Sequence, residues 1–402
     1  MLVRLTSSQY PQMERVYLDH AATTPLDPEV LGAMKPYLLE DYGNASSVHQ
    51  MGRQARVALE EARERVAACL GAVSSEIVFT SGGTEADNLA LKGGLRAASE
   101  NGAPAGLVTS AAEHEAVLRP AERLADQGHP VTILTPDASG AVTPAQVEAA
   151  LDDRTALVSL MHTNNETGVQ TDIPAVAEVC AAHDVLLHCD AVQAAGLQPL
   201  DVEDLGVDLL SLSGHKFYGP KGTGVLYVRN GVDLGPLLEG GSQERERRGG
   251  TENVPGAIGL AEALERAVAD AEDRADRLSR LQRRLIDGLD DAVVGPYRLN
   301  TPAGEVPVAP HVVNVAFPPE GPDADPLDGE MLILNLDMQG VLVSAGSACT
   351  SGALEPSHVL LALGLDRPTA STAVRFSMGA ETTAADIDYA LDILHDTLQR
   401  MR

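Results

Sequence analysis

The sequence predicts an α/β protein: a large domain with a mostly parallel sheet flanked by helices, followed by a smaller α+β domain. Three observations predict it. Short, continuously apolar runs alternate with helical patterns from about residue 50 to 230. A long helical stretch without internal proline follows, from about 254 to 292. Beyond it strand-like and helix-like runs recur, in a chain of 402 residues whose 44% hydrophobic content is enough to fill more than one core.

Taken in order, "EIVFTS" precedes the helix-like "TEADNLALKGGLRAA", and "AGLVTSAA" precedes "HEAVLRPAERLADQG". "TALVSLMH" leads to "DIPAVAEVCAAHD", then "VLLHCDAV" and "VDLLSLSG". Apolar strands without alternation, separated by helices, belong to a parallel sheet covered on both faces. "SGHKFYGPKGTGVLYVR" reads as a glycine-rich turn feeding one more strand. The stretch "AIGLAEALERAVADAEDRADRLSRLQRRLIDGL" bridges to the second unit as one long helix. There "HVVNVAFP", "GVLVSAG" and "TAVRFSM" are strands, and "GEMLILNLDMQ" and "AADIDYALDILHDTLQRM" are helices.

Composition excludes several classes. A formal charge of −29, from 58 acids against 29 bases, speaks against nucleic-acid binding, and the acids are spread along the chain as a solubilising surface. Four cysteines, none in a zinc or C-x-x-C spacing, make no disulfide framework. No apolar run reaches membrane-spanning length and the N-terminus lacks a signal-peptide core, so a cytoplasmic protein with reduced thiols is expected.

The polar motifs fall at strand ends, where open α/β sheets bind ligands. "FTSGGTEADN" sets Ser81, Gly82, Gly83 and Thr84 between a strand and a helix, either a phosphate cradle or a capped tight turn. "LHCDAVQAAG" sets Asp190 and Gln193 past an apolar strand. The carboxylate there either keeps a pyridine nitrogen protonated or caps a helix. The chain has only four lysines, and Lys216 in "SGHKFYG" is the one directly at a strand end between Gly214 and aromatic residues. That partly desolvated position suits Schiff-base chemistry, a solvated surface lysine being the alternative. His114 in "AAEHEAV" offers a ring to stack on a cofactor, and Asn165 in "MHTNNETG" lies at a further strand end. Arg375, amid apolar strand residues, requires an anionic partner: a substrate carboxylate or a structural ion pair. Together these are the parts of a pyridoxal-phosphate enzyme acting on an α-amino acid. One thiol stands apart from the other three: Cys349 in "VSAGSACTSGALEP" sits among small residues, whereas Cys69, Cys180 and Cys189 lie in helix or strand patterns as small core residues.

These stretches, with "YLDHAATTPLDPEV", "GNASSVHQMGRQA", "RRGGTENV" and "VRFSMG", resemble the cysteine desulfurases, the NifS/IscS-like group of the class V aminotransferase family. They run in the family's order from about residue 16 to 395. The resemblance implies the fold type I of pyridoxal-phosphate-dependent transferases. It implies a large domain over 24–262, and a small one over 1–23 and 263–402 that carries a mobile catalytic loop at about 343–356. Lys216 would bind pyridoxal 5'-phosphate covalently, Asp190 pair with the ring nitrogen, Gln193 bond the ring hydroxyl and His114 stack on the ring. Gly83, Thr84, Ser213 and His215 would hold the phosphate, helped by Thr251 from the other subunit of a homodimer. Asn165, beside the cofactor, and Arg375 would receive the carboxylate of L-cysteine, and Cys349 would take its sulfur as a persulfide. The expected partner is a sulfur-acceptor or iron–sulfur scaffold protein, with no resident metal and with Cys349 as a transient cluster ligand only beside such a scaffold. A selenocysteine lyase, a small amino acid aminotransferase and a non-catalytic scaffold are the alternatives. The run "GGSQERERR" before "GGTEN" is more charged than the family pattern, and the chain ends soon after "TLQRMR".

Overall fold

The structure, a computed structural model, describes residues 15–99, 103–304, 306–321, 324–345 and 355–402. Cys349 lies outside the described residues. The strands, in chain order, are β1 (Val16–Tyr17), β2 (Ile77–Thr80), β3 (Gly106–Ser110), β4 (Val131–Leu134), β5 (Thr155–Met161) and β6 (Leu186–Asp190). They continue with β7 (Leu209–Ser213), β8 (Gly224–Val228), β9 (Arg298–Leu299), β10 (Val312–Ala316), β11 (Val341–Leu342) and β12 (Val374–Ser377).

Seven strands form the main sheet in the order β2–β8–β7–β6–β5–β3–β4. Its pairings are parallel except the two made by β8. Because β2 and β7 both oppose β8, they run parallel to each other. The carboxyl ends of β2, β3, β5, β6 and β7 therefore open on one edge. Successive residues of these strands enter opposite cores: Val108, Val158 and Leu210 pack on one face, and Leu107, Leu157 and Leu209 on the other. This double burial is why the strands read as unbroken apolar runs. The edge strand β4, half exposed, carries no such run and has no counterpart among the strands expected from sequence.

The stretch expected as one helix is two, Val254–Ala269 and Ala271–Ala292, broken at Asp270. Each half buries its apolar stripe in a different core. Leu260 and Leu264 pack under the main sheet, whereas Leu278, Leu285 and Leu289 pack with Val313, Phe317 and Phe376 in the second unit. The break at Asp270 thus falls between the half that serves the first core and the half that serves the second. Val16 and Leu18 also join the second core, through the parallel pairing of β1 with β11. The remaining sheet there is antiparallel, in the order β12–β10–β9. Part of the acidic composition is spent on helix starts: Asp27, Asp172, Asp201, Asp328 and Asp366 each accept a first-turn N–H.

The unusually charged run before Thr251 also has a structural use. Glu244, Arg245 and Glu246 all take positive φ, at 45°, 54° and 67°, a costly run for side-chain-bearing residues. It is held by a buried bidentate pair in which Arg63 Nη1 and Nη2 lie 2.6 and 2.9 Å from the Glu244 carboxylate. The amide of Phe79 on β2 donates to the same carboxylate, and Arg63 reaches the Ile77 carbonyl. Arg248 pairs with Glu85, which accepts from the Ser81 amide. Replacing Glu244 with alanine strands a buried guanidinium, so we expect Glu244→Ala to lose about 3 kcal/mol of stability in denaturant titration. A loss below about 0.5 kcal/mol, the scale of an exposed pair, would show that the pair holds nothing.

Candidate active site

The shared edge of strand ends borders a cavity of about 900 Å³. Ten of the residues expected from sequence line it: Gly83, Thr84, His114, Asn165, Asp190, Gln193, Ser213, His215, Lys216 and Arg375. Thr251 does not. It is exposed beside an adjoining pocket of about 180 Å³ that shares Ser81 and Gly222 with the larger one.

Lys216 follows β7 through a short turn. Its Nζ donates to the carbonyls of Ala21 and Ala22, the latter at 3.1 Å. Burial, seconded by Arg375, lowers its pKa to about 8 against the opposing pull of Asp190 and Asp19. At neutral pH about a tenth of such amines are unprotonated, where for an ordinary lysine the fraction is about one in three thousand. A nucleophilic amine is thereby available without a general base.

Asp190 ends β6, with Oδ1 accepting from the Val192 amide at 3.0 Å. Burial raises its pKa, while His114, the Val192 amide and Lys216 act in the opposite direction. Asp87 and Glu113 are buried nearby, and desolvation raises both well above the carboxylate range. Asp87 also lines the cavity, but Asp190 is the member of this trio on which Lys216 and His114 act, so a protonated ring nitrogen there would supply its missing counter-charge. His114 caps the helix Glu115–Asp126 through Nδ1, which accepts from the Ala116 amide at 3.1 Å. Burial lowers its pKa, so the ring is neutral and carries its proton on Nε2.

The cradle at the end of β2 depends on glycine. Gly82 has φ 153°, and a Cβ on Gly83 would come within 2.8 Å of the Val192 side chain. Ser213 lies across from this turn, and His215 Nδ1 is 3.1 Å from the Thr23 hydroxyl. Small residues, hydroxyls and helix N–H groups fit a phosphate, Asp190 fits a pyridine nitrogen and Lys216 fits an aldehyde. The donor set therefore fits pyridoxal 5'-phosphate.

Arg375 on β12 has both partners envisaged for it close at hand. Nη2 pairs with Asp19 at 3.0 Å, Nη1 donates to the Asn165 carbonyl at 2.8 Å, and Nε is buried without a partner among the described residues. The ion pair is present, and the residue lines the cavity. The backbone of Arg375 is bonded to Ser344, which lines the cavity, as does Glu355. These two residues bracket the segment bearing Cys349. Just beyond, Ser357 bonds Glu166 and His358 Nε2 lies 2.8 Å from the Glu113 carbonyl.

Several contributors were not assigned from sequence: the Ala21 and Ala22 carbonyls, Asp19, Glu113, His311 and His358. "YLDHAATTP" was a quoted stretch, but backbone acceptors have no side-chain signature. His311 and His358 gain their neighbours only through long-range packing.

The class-V aminotransferase family model matches residues 16–390. A cysteine desulfurase IscS of Dictyoglomus turgidum is 45% identical over 387 residues, 96% of this chain and 95% of that one. A putative cysteine desulfurase, IscS 1 of Bacillus subtilis, is 44% identical over 390 residues, 97% of this chain and 100% of that one. Among solved structures, a NifS-like protein superposes with a TM-score of 0.87 at 37% identity, covering 96% of this chain and 100% of the other. With the fold, the strand-end site and these likenesses together, the chain belongs to the class-V aminotransferase family, among its pyridoxal-phosphate-dependent cysteine desulfurases.

Proposed function

We propose that this chain converts L-cysteine to L-alanine and leaves the sulfur as a persulfide on Cys349. The balance is closed: L-cysteine and a Cys349 thiol become L-alanine and a Cys349 persulfide, with no external oxidant. The observation that carries the reading is the meeting, in one cavity, of a desolvated Lys216 beside Asp190 with Ser344 and Glu355, which flank the Cys349 segment.

The cofactor, when bound, supplies an electron sink at the substrate's α-carbon. Lys216 would hold it and, as a free amine, would move the proton of the substrate's α-carbon. Asp190 keeps the ring nitrogen protonated, and His114 presents an Nε2 proton to the cavity. Gly83, Thr84, Ser213 and His215 hold the phosphate and Gln193 the ring oxygen. Asn165 and Arg375 orient the substrate carboxylate.

The division into 24–262 and 1–23 with 263–402 puts the cofactor on the first unit and the sulfur acceptor on the second; the separate cores support two units, with Leu264 still packed in the first. A second copy supplies Thr251 in this reading. Leu39, Tyr42 and Val48, the last 88% accessible, are exposed apolar side chains that such a partner could cover. The sulfur then passes to an acceptor or iron–sulfur scaffold protein in the cytoplasm. No helix among the described residues is long and apolar enough to cross a membrane.

With L-cysteine and a thiol reductant, the purified protein is expected to release alanine and sulfide in equal amounts. Alanine without sulfide, or turnover of selenocysteine alone, would replace this reading with another reaction of the same fold.

A further inference from the structure

We propose that His311 is a positioning residue that fixes the amide of Gln193 and, through it, the hydrogen-bond donors presented to the Lys216 end of the cavity. This rests on the reading of Gln193 as the partner of the cofactor's ring oxygen.

The orientation follows from what each atom can donate or accept. The Ala21 carbonyl only accepts, so the Gln193 atom 2.9 Å from it is the amide nitrogen. The Gln193 oxygen then faces the other way, 3.3 Å from His311 Nε2. His311 directly precedes β10 and is 5% exposed. Burial, with Arg375, Lys216 and His20 nearby, drops its pKa to about 3, so the ring is neutral and has one N–H. With the Gln193 oxygen opposite it, Nε2 must carry that proton. Nδ1, buried without a partner among the described residues, is left as a bare acceptor. An orphaned N–H on Nδ1, with two acceptors facing each other at Nε2, would be the costlier arrangement.

The result is a chain from His311 to Gln193 to the Ala21 carbonyl, which Lys216 Nζ shares. One N–H of the Gln193 amide is used on Ala21 and the second is free for the cavity it lines. Without His311 the Gln193 oxygen loses its donor and only the Ala21 contact holds the amide, so its second N–H is no longer held toward the cavity. The charged and titratable groups around Lys216 are Asp190, Asp19, Arg375, His114, His215, Lys221 and His311; the substitutions leave all in place but His311, whose ring is neutral. A donor to the ring oxyanion holds down the proton affinity of the conjugated Lys216 nitrogen.

The test is the pH titration of the visible absorption of the cofactor-loaded full-length protein. In His311→Leu the midpoint of the colour change is expected to rise by about half a pH unit or more, as it does in Gln193→Leu. In the double variant it should rise no further than in Gln193→Leu alone. His311→Gln, whose amide can still donate to Gln193, is expected to titrate like wild type. A wild-type midpoint in His311→Leu while Gln193→Leu moves would overturn the role of His311 and keep the reading of Gln193. No movement in either would overturn both. Should His311→Leu fail to fold, His311→Met takes its place with the same expected shift.

Discussion

Replacing Lys216 with alanine is expected to lower kcat/KM for L-cysteine by at least about a thousandfold, near 4 kcal/mol of transition-state stabilisation. The size follows from the two tasks placed on one amine, attachment of the cofactor and proton movement at the α-carbon. Of the chain's other lysines, only Lys221 lines the cavity, and it lies beside the Thr24 carbonyl. The variant should still bind pyridoxal phosphate, because Asp190 and the glycine turn at Gly82 and Gly83 are untouched. Borohydride reduction followed by peptide mapping separates the effects: wild type should carry the cofactor on the Lys216 peptide, and Lys216→Ala on none. Small primary amines should restore part of the lost rate, which a folding defect would not permit. Retention of more than a tenth of the activity would remove Lys216 from the chemistry.

Cys349→Ala is expected to reduce sulfide release by about a hundredfold or more with the cofactor's colour retained. The other thiols are poor substitutes for a physical reason. Burial raises Cys69 to about 11 and Cys180 to about 12, and pushes Cys189 well above the ordinary thiol value. All three are protonated at neutral pH, and none lines the cavity. Cys349, by contrast, is five residues along the chain from Ser344, which lines the cavity. Undiminished sulfide from Cys349→Ala would favour a lyase reaction of the selenocysteine lyase kind on the same fold, which breaks the Cβ–S bond without an acceptor thiol.

Which parts of this were legible in the sequence follows from how local each signal is. The sheet was, because β5, β6 and β7 are buried on both faces and are mostly apolar, their few polar residues being buried and hydrogen-bonded, as Ser159 and Ser211 are to His188. Lys216, Asp190, His114 and the Gly82–Gly83 turn were, because each follows directly on such a strand and parallel topology brings those ends to one edge. The break at Asp270 was not, since periodicity runs on through it and only the separate cores of Leu264 and Leu278 require it. The half-exposed β4 gave too weak a pattern. The Asp19–Arg375 pair spans nearly the whole chain, and the His311–Gln193 contact joins residues 118 apart, so neither has a local signature. The charged run before Thr251 looked like a departure from the family, and becomes intelligible once Arg63 and Glu85 are seen as its partners.

The most direct measurement is mass analysis of the Cys349 peptide after a single turnover with limiting L-cysteine, alkylated before reductant is added. One extra sulfur atom on Cys349, equimolar with released alanine and absent from the Cys69, Cys180 and Cys189 peptides, is the predicted result. Alanine formed at full yield with Cys349 unmodified, or with the sulfur on another cysteine, would contradict the account.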